Sequence, residues 1–408
     1  MEFKNTSIGE SVNPFEAIGV PIIINAKGPA TRLSGGIMRA EVAQAMSEAS
    51  SHCVDMADLQ AAASRIIAET TGAEAGYVAS GASACLLLAT AACMTGLDPG
   101  CMARLPDATG MNDEVIMVRS QRNFYDHAVR ATGARIVEVG LPDRYAGAGV
   151  RDAEAWEIDD AITERTAAVF YVADTHARPP LAEVVSVAHA RGIPVIVDAA
   201  AQLPPQANLK RFIAEGADLV AFSGGKALGG PQASGFLCGR RDLIMAAALQ
   251  HLDHDVFWDL WTPPAFLIDK QRLKGLPQHG IGRSCKAGKE EIMGLLAALQ
   301  IFVGESDSIR HGRWLKTAQE ISYGCQGIAG VGVHVQNAES SEGVPLVILS
   351  LDRAKYDATF VVAALQNGKP SIHVDSGQRE QNRILINPMC LKDGEPGIIA
   401  AALRKTLV

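Results

Sequence analysis

Between about residues 65 and 240 the chain alternates short β-branched and aliphatic runs with longer mixed segments. The runs VIMV from 115, RIVEVG from 135, AAVFYVAD from 167, IPVIVDAA from 193, ADLVAFSG from 217 and GFLCG from 235 have the pattern of buried strands. The segments between them are long enough for helices. SRIIAETTG (64–72), FYDHAVRATG (124–133) and LAEVVSVAHARG (181–192) each close on a glycine, the residue that most easily takes the left-handed turn ending a helix. A strand, a crossover and another strand, repeated, predict an α/β fold with a mostly parallel central sheet and helices on both faces. In such sheets ligands lie outside the carboxyl ends of the strands.

The pattern changes near residue 300. GESDSIRHGRWLKTAQEISYGCQGIAG reads as a helix and connector, after which VGVHVQ, VPLVILSLD, SIHVDSG and RILINPM alternate with FVVAALQNG and a last helix PGIIAAALRKTLV, a small α+β domain. The expected organisation is an N-terminal segment 1–45, a large domain 46–265, a connecting helical region 266–310 and a small C-terminal domain 311–408. Residues 75–97 carry no charge, the length of a membrane span. The small residues there, the lack of a flanking basic cluster and the DPG turn that ends the stretch favour a helix buried in the protein, opening at Ser80-Gly81-Ala82-Ser83.

Composition narrows the class of function. A formal net charge of −8, with no basic block, argues against nucleic acid or an anionic membrane as partner and leaves a small polar molecule as substrate. Eight cysteines without CxxC or finger spacing, and no signal sequence at the start, point to the reducing cytoplasm. The segment HLDHDVFWDLWTPPAFL (251–267) reads as lid or interface material; its two histidines have no metal-ligand spacing, and no metal is expected.

The candidate chemistry sits at strand ends. IPVIVD ends in Asp198, ADLVAFS ends in Ser223 with Lys226 three residues on, among glycines, and SGASA opens a helix at the same edge. Taken singly these are a capping residue, a solvated lysine and an ordinary helix start. Together they are the parts that hold pyridoxal 5'-phosphate: a helix N-terminus for the phosphate, an acid for the ring nitrogen and an amine for a Schiff base. No GxGxxG follows an early strand, which disfavours a nicotinamide enzyme.

These residues carry a resemblance. The chain resembles the fold-type I pyridoxal-phosphate enzymes, within them the family of selenocysteine synthase (seryl-tRNA selenium transferase) and D-glucosaminate-6-phosphate ammonia-lyase. The resemblance runs through INAKGPATRLSGGIM (24–38), TGAEAGYVASGASACLLLA (71–89), IPVIVDAAAQ (193–202), GADLVAFSGGKALGGPQASGFLCGRRDLI (216–244), GIGRSCKAGKEEIMGLLAAL (280–299) and ILINPMCL (384–391). It implies that Lys226 is the cofactor lysine, that Asp198 faces the pyridine nitrogen and that Ser80, Gly81, Ala82 and Ser223 contact the phosphate. It also implies a homodimer or a larger symmetric assembly. The chain lacks an evident tRNA-binding domain before residue 24, which turns the expectation to the small-molecule side of the family. The expected reaction is lyase chemistry on a small hydroxy amino acid or amino sugar acid: Cα deprotonation and α,β-elimination to a 2-oxo acid and ammonia. An aldolase, racemase or β-replacement reaction on a small amino acid is the alternative.

Further candidates surround this core. Arg283 and Lys286 in GRSCKAGKEE, on a loop entering a helix, and Arg32 in PATRLSGG are candidate ligands of a substrate anion. Lys289 in the same block either joins them or pairs with neighbouring glutamates. RSQRNFYDHAV (119–129) follows a strand and should supply the side chain that covers the cofactor ring, with Tyr125 and His127 favoured. His176, in DTHARPP, is a candidate for the cofactor's phenolic oxygen or the substrate.

Overall fold

The structure, a computed structural model, describes residues 13–141 and 152–407. Its strands in chain order are β1 (Ile23–Ala26), β2 (Ala75–Ala79), β3 (Glu114–Val118), β4 (Arg135–Val139), β5 (Thr166–Val172), β6 (Val195–Asp198), β7 (Leu219–Ser223), β8 (Gly235–Gly239), β9 (Val331–Gln336), β10 (Leu346–Leu351), β11 (Ser371–Val374) and β12 (Arg383–Ile386). The chain divides into two compact units, one of Met38–Asp307 and one joining Met1–Ile37 to Ser308–Val408.

The first unit is built on a seven-stranded sheet in the order β2-β8-β7-β6-β5-β3-β4. Strands β3 to β7 pair in parallel, and β8 runs antiparallel to both β7 and β2. All strands of the sheet except β8 therefore end at one edge. Side chains alternate between two cores, as the two-residue period of a strand requires. Val115 and Met117, Ala168 and Phe170, Ile196, Leu219 and Ala221 join one apolar cluster with the helices Ala82–Thr95 and Arg241–His251. Ile116 and Val118, Val169 and Tyr171, Val195 and Val197, Val220 and Phe222 join the other with the helices Leu181–Ala190 and Lys289–Gly304. The sheet is covered on both faces, as a parallel sheet with near-continuous apolar strands must be.

Residues 75–79, not among the predicted strands, form the edge strand β2, and the buried helix follows at Ala82–Thr95. The exposed row of backbone groups that an edge strand leaves is closed by one helix, Met56–Thr71. Gln60 donates from Nε2 to the Val78 carbonyl at 2.8 Å and accepts the Val78 N–H at 3.0 Å, while Ser64 Oγ accepts the Gly76 N–H at 2.9 Å. The predicted helix 124–133 is shorter than expected. A 3-10 turn, Phe124–Asp126, leads into a single helical turn, His127–Arg130; Asp126, Ala128, Val129 and, beyond the turn, Thr132 are buried while Phe124 and Tyr125 stay exposed. Segment 252–269 has turns and irregular backbone, with Phe257 and Leu260 each more than three-quarters exposed.

The second unit explains why the N-terminal residues belong with the C-terminal ones. β1 pairs in parallel with β11, so the segment expected to stand alone supplies Ile24 and Ala26 to a core made by the helices Asp307–Cys325, Ala358–Gln366 and Glu395–Thr406 and by β10 and β12. β10 is the centre of an antiparallel sheet between β9 and β12. The predicted region 266–310 is not separate: its helix Lys289–Gly304 packs into the core of the first unit. Among the described residues no single helix is long and apolar enough to cross a membrane.

Candidate active site

The carboxyl edge of the large sheet gathers the groups read from the sequence. Asp198 ends β6 on the same face as Ile196, and Ser223 ends β7 on the same face as Leu219 and Ala221. That face is the one covered by the helix Ala82–Thr95. In register, Asp198 lies beside Ala221, and Ser223 and Ala79 both lie opposite Gly235 of β8. Two strand spacings, about 10 Å, separate β7 from β2. Ser223 and the start of the helix that follows β2 therefore flank one short stretch of sheet edge.

Gly235 makes that approach possible. A Cβ at this position would lie 2.6 Å from both the Ala82 nitrogen and the Gly81 carbonyl carbon and 2.8 Å from the Phe222 oxygen, so only a glycine lets β8 run against the helix entrance. Gly81 is the N-cap with φ of 121°, a conformation open to glycine, and no side chain caps the helix. The first N–H groups of a helix have no acceptor within it and carry the positive end of its dipole. Among the described residues no side chain caps the Ala82 and Ser83 N–H groups, and no side-chain hydrogen bond to another protein group engages the hydroxyls of Ser80, Ser83 or Ser223. The Ser80 N–H is committed elsewhere, to the Cys285 carbonyl at 3.1 Å.

Lys226 follows β7 in a tight turn whose backbone is closed by Gly224 N–H to Ser234 O at 2.8 Å and Gly229 N–H to Lys226 O at 3.0 Å. The glycines around it have a local cause. A Cβ on Gly224 would press on Leu295 and one on Gly225 would lie 2.7 Å from the Gln232 Cα, because the strand leading into β8 folds back over the turn. Among the described residues the Lys226 amine has no hydrogen-bond or ion-pair partner. Burial pushes its pKa down, partly offset by the Asp198 charge. Asp198 is buried; burial pushes its carboxyl up, against the Ala200 N–H at 3.0 Å and the Lys226 charge, which favour the carboxylate. Its second oxygen takes no hydrogen bond among the described residues. A half-buried free amine, a buried carboxylate with one open oxygen and an uncapped helix N-terminus thus share one face and one edge of the sheet.

The other predicted residues divide. Arg283 sits in the 3-10 turn Ile281–Cys285 and donates to Asp253 at 2.8 Å; Lys286 follows, exposed and with no ion-pair partner among the described residues; Lys289 pairs with Glu290. Tyr125 and His127 follow β3 and His176 follows β5, all at the carboxyl edge but exposed, and none hydrogen-bonds Asp198 or Lys226 through its side chain. Arg32 belongs to the second unit, exposed on the turn Thr31–Leu33. Where no metal-ligand spacing is visible in the sequence, the fold brings Asp253, Asp255 and His279 to within 4.8 Å of one another. This exposed group is already paired, His279 with Asp255 inside it and Asp253 with Arg283 outside it.

Two residues at this edge carry no sequence signal. Gln121, buried after β3, accepts the Val172 N–H at 2.9 Å and donates to the Arg178 carbonyl, and Gln202 donates to the Ala173 carbonyl at 2.6 Å. They tie the loops after β3, β5 and β6 to one another. Only the sheet order makes them neighbours.

Residues 31–256 match the family model described as SelA, L-seryl-tRNA selenium transferase. The chain is 30% identical over 403 residues to the D-glucosaminate-6-phosphate ammonia lyase of Salmonella typhimurium, covering 96% of this chain and 97% of that protein. It is likewise 30% identical over 404 residues to a 5'-C-glycyluridine monooxygenase-decarboxylase of Streptomyces sp, covering 96% and 91%. The solved structure of a D-glucosaminate-6-phosphate ammonia-lyase superposes with a TM-score of 0.79 at 29% identity, over 98% of this chain and 99% of that one. With the matched region running from the turn that holds Arg32 through the helix N-terminus, Asp198 and Lys226, the chain belongs to the L-seryl-tRNA selenium transferase family.

Proposed function

We propose that the protein is a pyridoxal-phosphate-dependent lyase that eliminates ammonia from a small amino sugar acid or hydroxy amino acid. The observation that carries this reading is the convergence of the free Lys226 amine, the open oxygen of Asp198 and the uncapped Ala82–Thr95 helix at one sheet edge. The full-length similarity to an enzyme named as an ammonia lyase supports the reaction type. The residues fit the cofactor: Ala82 and Ser83 N–H groups with the Ser80 and Ser223 hydroxyls suit a phosphate, and Asp198 suits a protonated ring nitrogen.

Pyridoxal phosphate, when bound, supplies a carbonyl carbon for an amine and a ring that takes up the electrons of a bond broken at the substrate's Cα. The protein's part is positional and acid–base. Burial lowers the Lys226 pKa, which favours the neutral amine, the form that can take the Cα proton. Asp198, held by the Ala200 N–H and buried beneath the helix face, is the residue that would pair with the cofactor's protonated ring nitrogen, a cation that would favour its carboxylate form against the cost of burial. Lys286, exposed and with no ion-pair partner among the described residues, and Arg283, on exchange from Asp253, suit the substrate's anionic end. Loss of a β leaving group with its bonding electrons would leave an enamine, which tautomerises to an imine and takes up one water to give a 2-oxo acid and ammonia. The exposed Phe124, Tyr125, Phe257 and Leu260 support association with further copies of the chain.

A second reading, breakage of a different Cα bond, is favoured by the equal identity to the enzyme named as a monooxygenase-decarboxylase. One experiment separates them. The purified protein is incubated with pyridoxal phosphate, reduced with borohydride and mapped by mass spectrometry, and ammonia and carbon dioxide are assayed over a panel of amino sugar acids and amino acids. Label on Lys226, absent in Lys226→Ala, with ammonia released, is the expected result. Absence of label would sink the cofactor assignment, and carbon dioxide without ammonia would replace elimination by decarboxylation.

A further inference from the structure

The loop that carries Arg283 and Lys286 is held from beneath by the last turn of the helix Arg241–His251. A Cβ on Gly280 would lie 2.5 Å from the Gln250 Cα, and one on Gly282 would press on Leu88, so the loop lies flat on two helices. Gln250 Oε1 accepts the Ile281 N–H at 3.1 Å. His251, 4% exposed, bonds the Cys285 carbonyl through Nε2 at 3.0 Å. A carbonyl only accepts, so Nε2 carries the hydrogen. Nδ1 is then the acceptor for the hydroxyl of Tyr77, fully buried in β2, at 2.8 Å, with the two rings edge-on at 5.2 Å. Burial pushes the His251 pKa down to about 4, which keeps this neutral tautomer at physiological pH.

The Cys285 carbonyl also accepts the Ser80 N–H at 3.1 Å. One carbonyl therefore joins three elements: the edge strand β2 through Tyr77 and His251, the basic loop, and the residue before the N-cap of the Ala82–Thr95 helix. We propose that His251 is a positioning residue, which through the Cys285 carbonyl fixes the Arg283–Lys286 loop against the entrance of the Ala82–Thr95 helix and so sets the affinity of that entrance for a phosphate group. The inference rests on the reading of the helix N-terminus as the cofactor's phosphate site. It concerns an interaction at the phosphate and none at the ring.

The test compares pyridoxal 5'-phosphate with pyridoxal, which lacks the phosphate, by spectroscopic titration of the apoprotein. His251→Asn can offer a group near the Nδ1 position but does not reach Cys285; His251→Gln places an N–H donor near the Nε2 position. Losing the Cys285 hydrogen bond should weaken pyridoxal phosphate about ten-fold in His251→Asn. Pyridoxal binding should not change, and His251→Gln should recover most of the loss. Tyr77→Phe, which keeps the Cys285 bond, should lose less than His251→Asn. Equal losses for both ligands, equal weakness of Asn and Gln, or wild-type affinity in His251→Asn would each overturn the positioning role. A wild-type protein that binds neither compound would sink the cofactor reading and this inference with it, whereas wild-type binding unaffected by His251→Asn would sink the inference alone.

Discussion

Gly235→Ala tests the geometry of the site without touching a charged or nucleophilic group. The added methyl would meet the Ala82 nitrogen and the Gly81 carbonyl carbon at 2.6 Å and the Phe222 oxygen at 2.8 Å. Ordinary carbon contacts lie at about 3.5–4.0 Å, so each is short by about 1 Å. All three atoms are backbone, which no side-chain rotation relieves. The position has no left-handed φ, so the whole effect is steric. Overpacking of this kind costs about 1–3 kcal/mol. Relief by moving the helix entrance away from β8 would spread the Ala82 and Ser83 N–H groups from Ser223, and the same strain then appears as about 5- to 150-fold weaker binding of pyridoxal phosphate. Thermal melts of the apoprotein and titration with the cofactor read the two effects. Gly275→Ala, a site with open space and no left-handed φ, should change neither. Wild-type affinity and melting temperature in Gly235→Ala would refute the argument that this contact builds the site.

Other expectations follow from single observations. Gln60→Ala removes the side chain that pairs both Val78 backbone groups on the edge strand and should lower stability by about 2–4 kcal/mol in urea unfolding. Asp198 has a folded-state pKa above its unfolded value, so its favourable contribution is complete below the ordinary carboxylate range and is lost as pH rises through the raised value. Asp198→Asn should therefore make the apoprotein more stable than wild type at neutral pH, with the difference closing in acid melts, while abolishing turnover; a neutral-pH melt at or below that of wild type would contradict the burial cost. Lys286→Ala should raise KM for an anionic substrate several-fold with little change in kcat, whereas Lys289→Ala, which removes a partner of Glu290, should leave both near wild type.

The glycines and short polar groups at strand ends make the candidate site legible in the sequence. Asp198 and Lys226 announce themselves because a charged residue closing an apolar strand, in a chain that repeats strand and crossover, has one edge to stand on. The same logic led to Ser223 and to the SGASA helix start. Tyr125, His127 and His176 were placed correctly after their strands, yet the fold leaves them exposed, since strand order along the edge, and not membership of it, decides which loops face one another.

The sequence by itself determined the α/β class and most of the strands and helices, and it singled out Asp198 and Lys226 as candidates, because two-residue and helical periodicities and the residues that end them are local properties. The tertiary structure alone decided the rest. Only the pairing of β1 with β11 puts the N-terminal residues into the second unit, and only the antiparallel insertion of β8 sets Gly235 against the helix entrance. The relay from Tyr77 through His251 to the carbonyl of Cys285 is invisible along the chain, because its partners are far apart in sequence and one of them is a backbone oxygen that every residue has. Long-range hydrogen bonds and close backbone approaches depend on sheet order, which no local pattern of residues encodes.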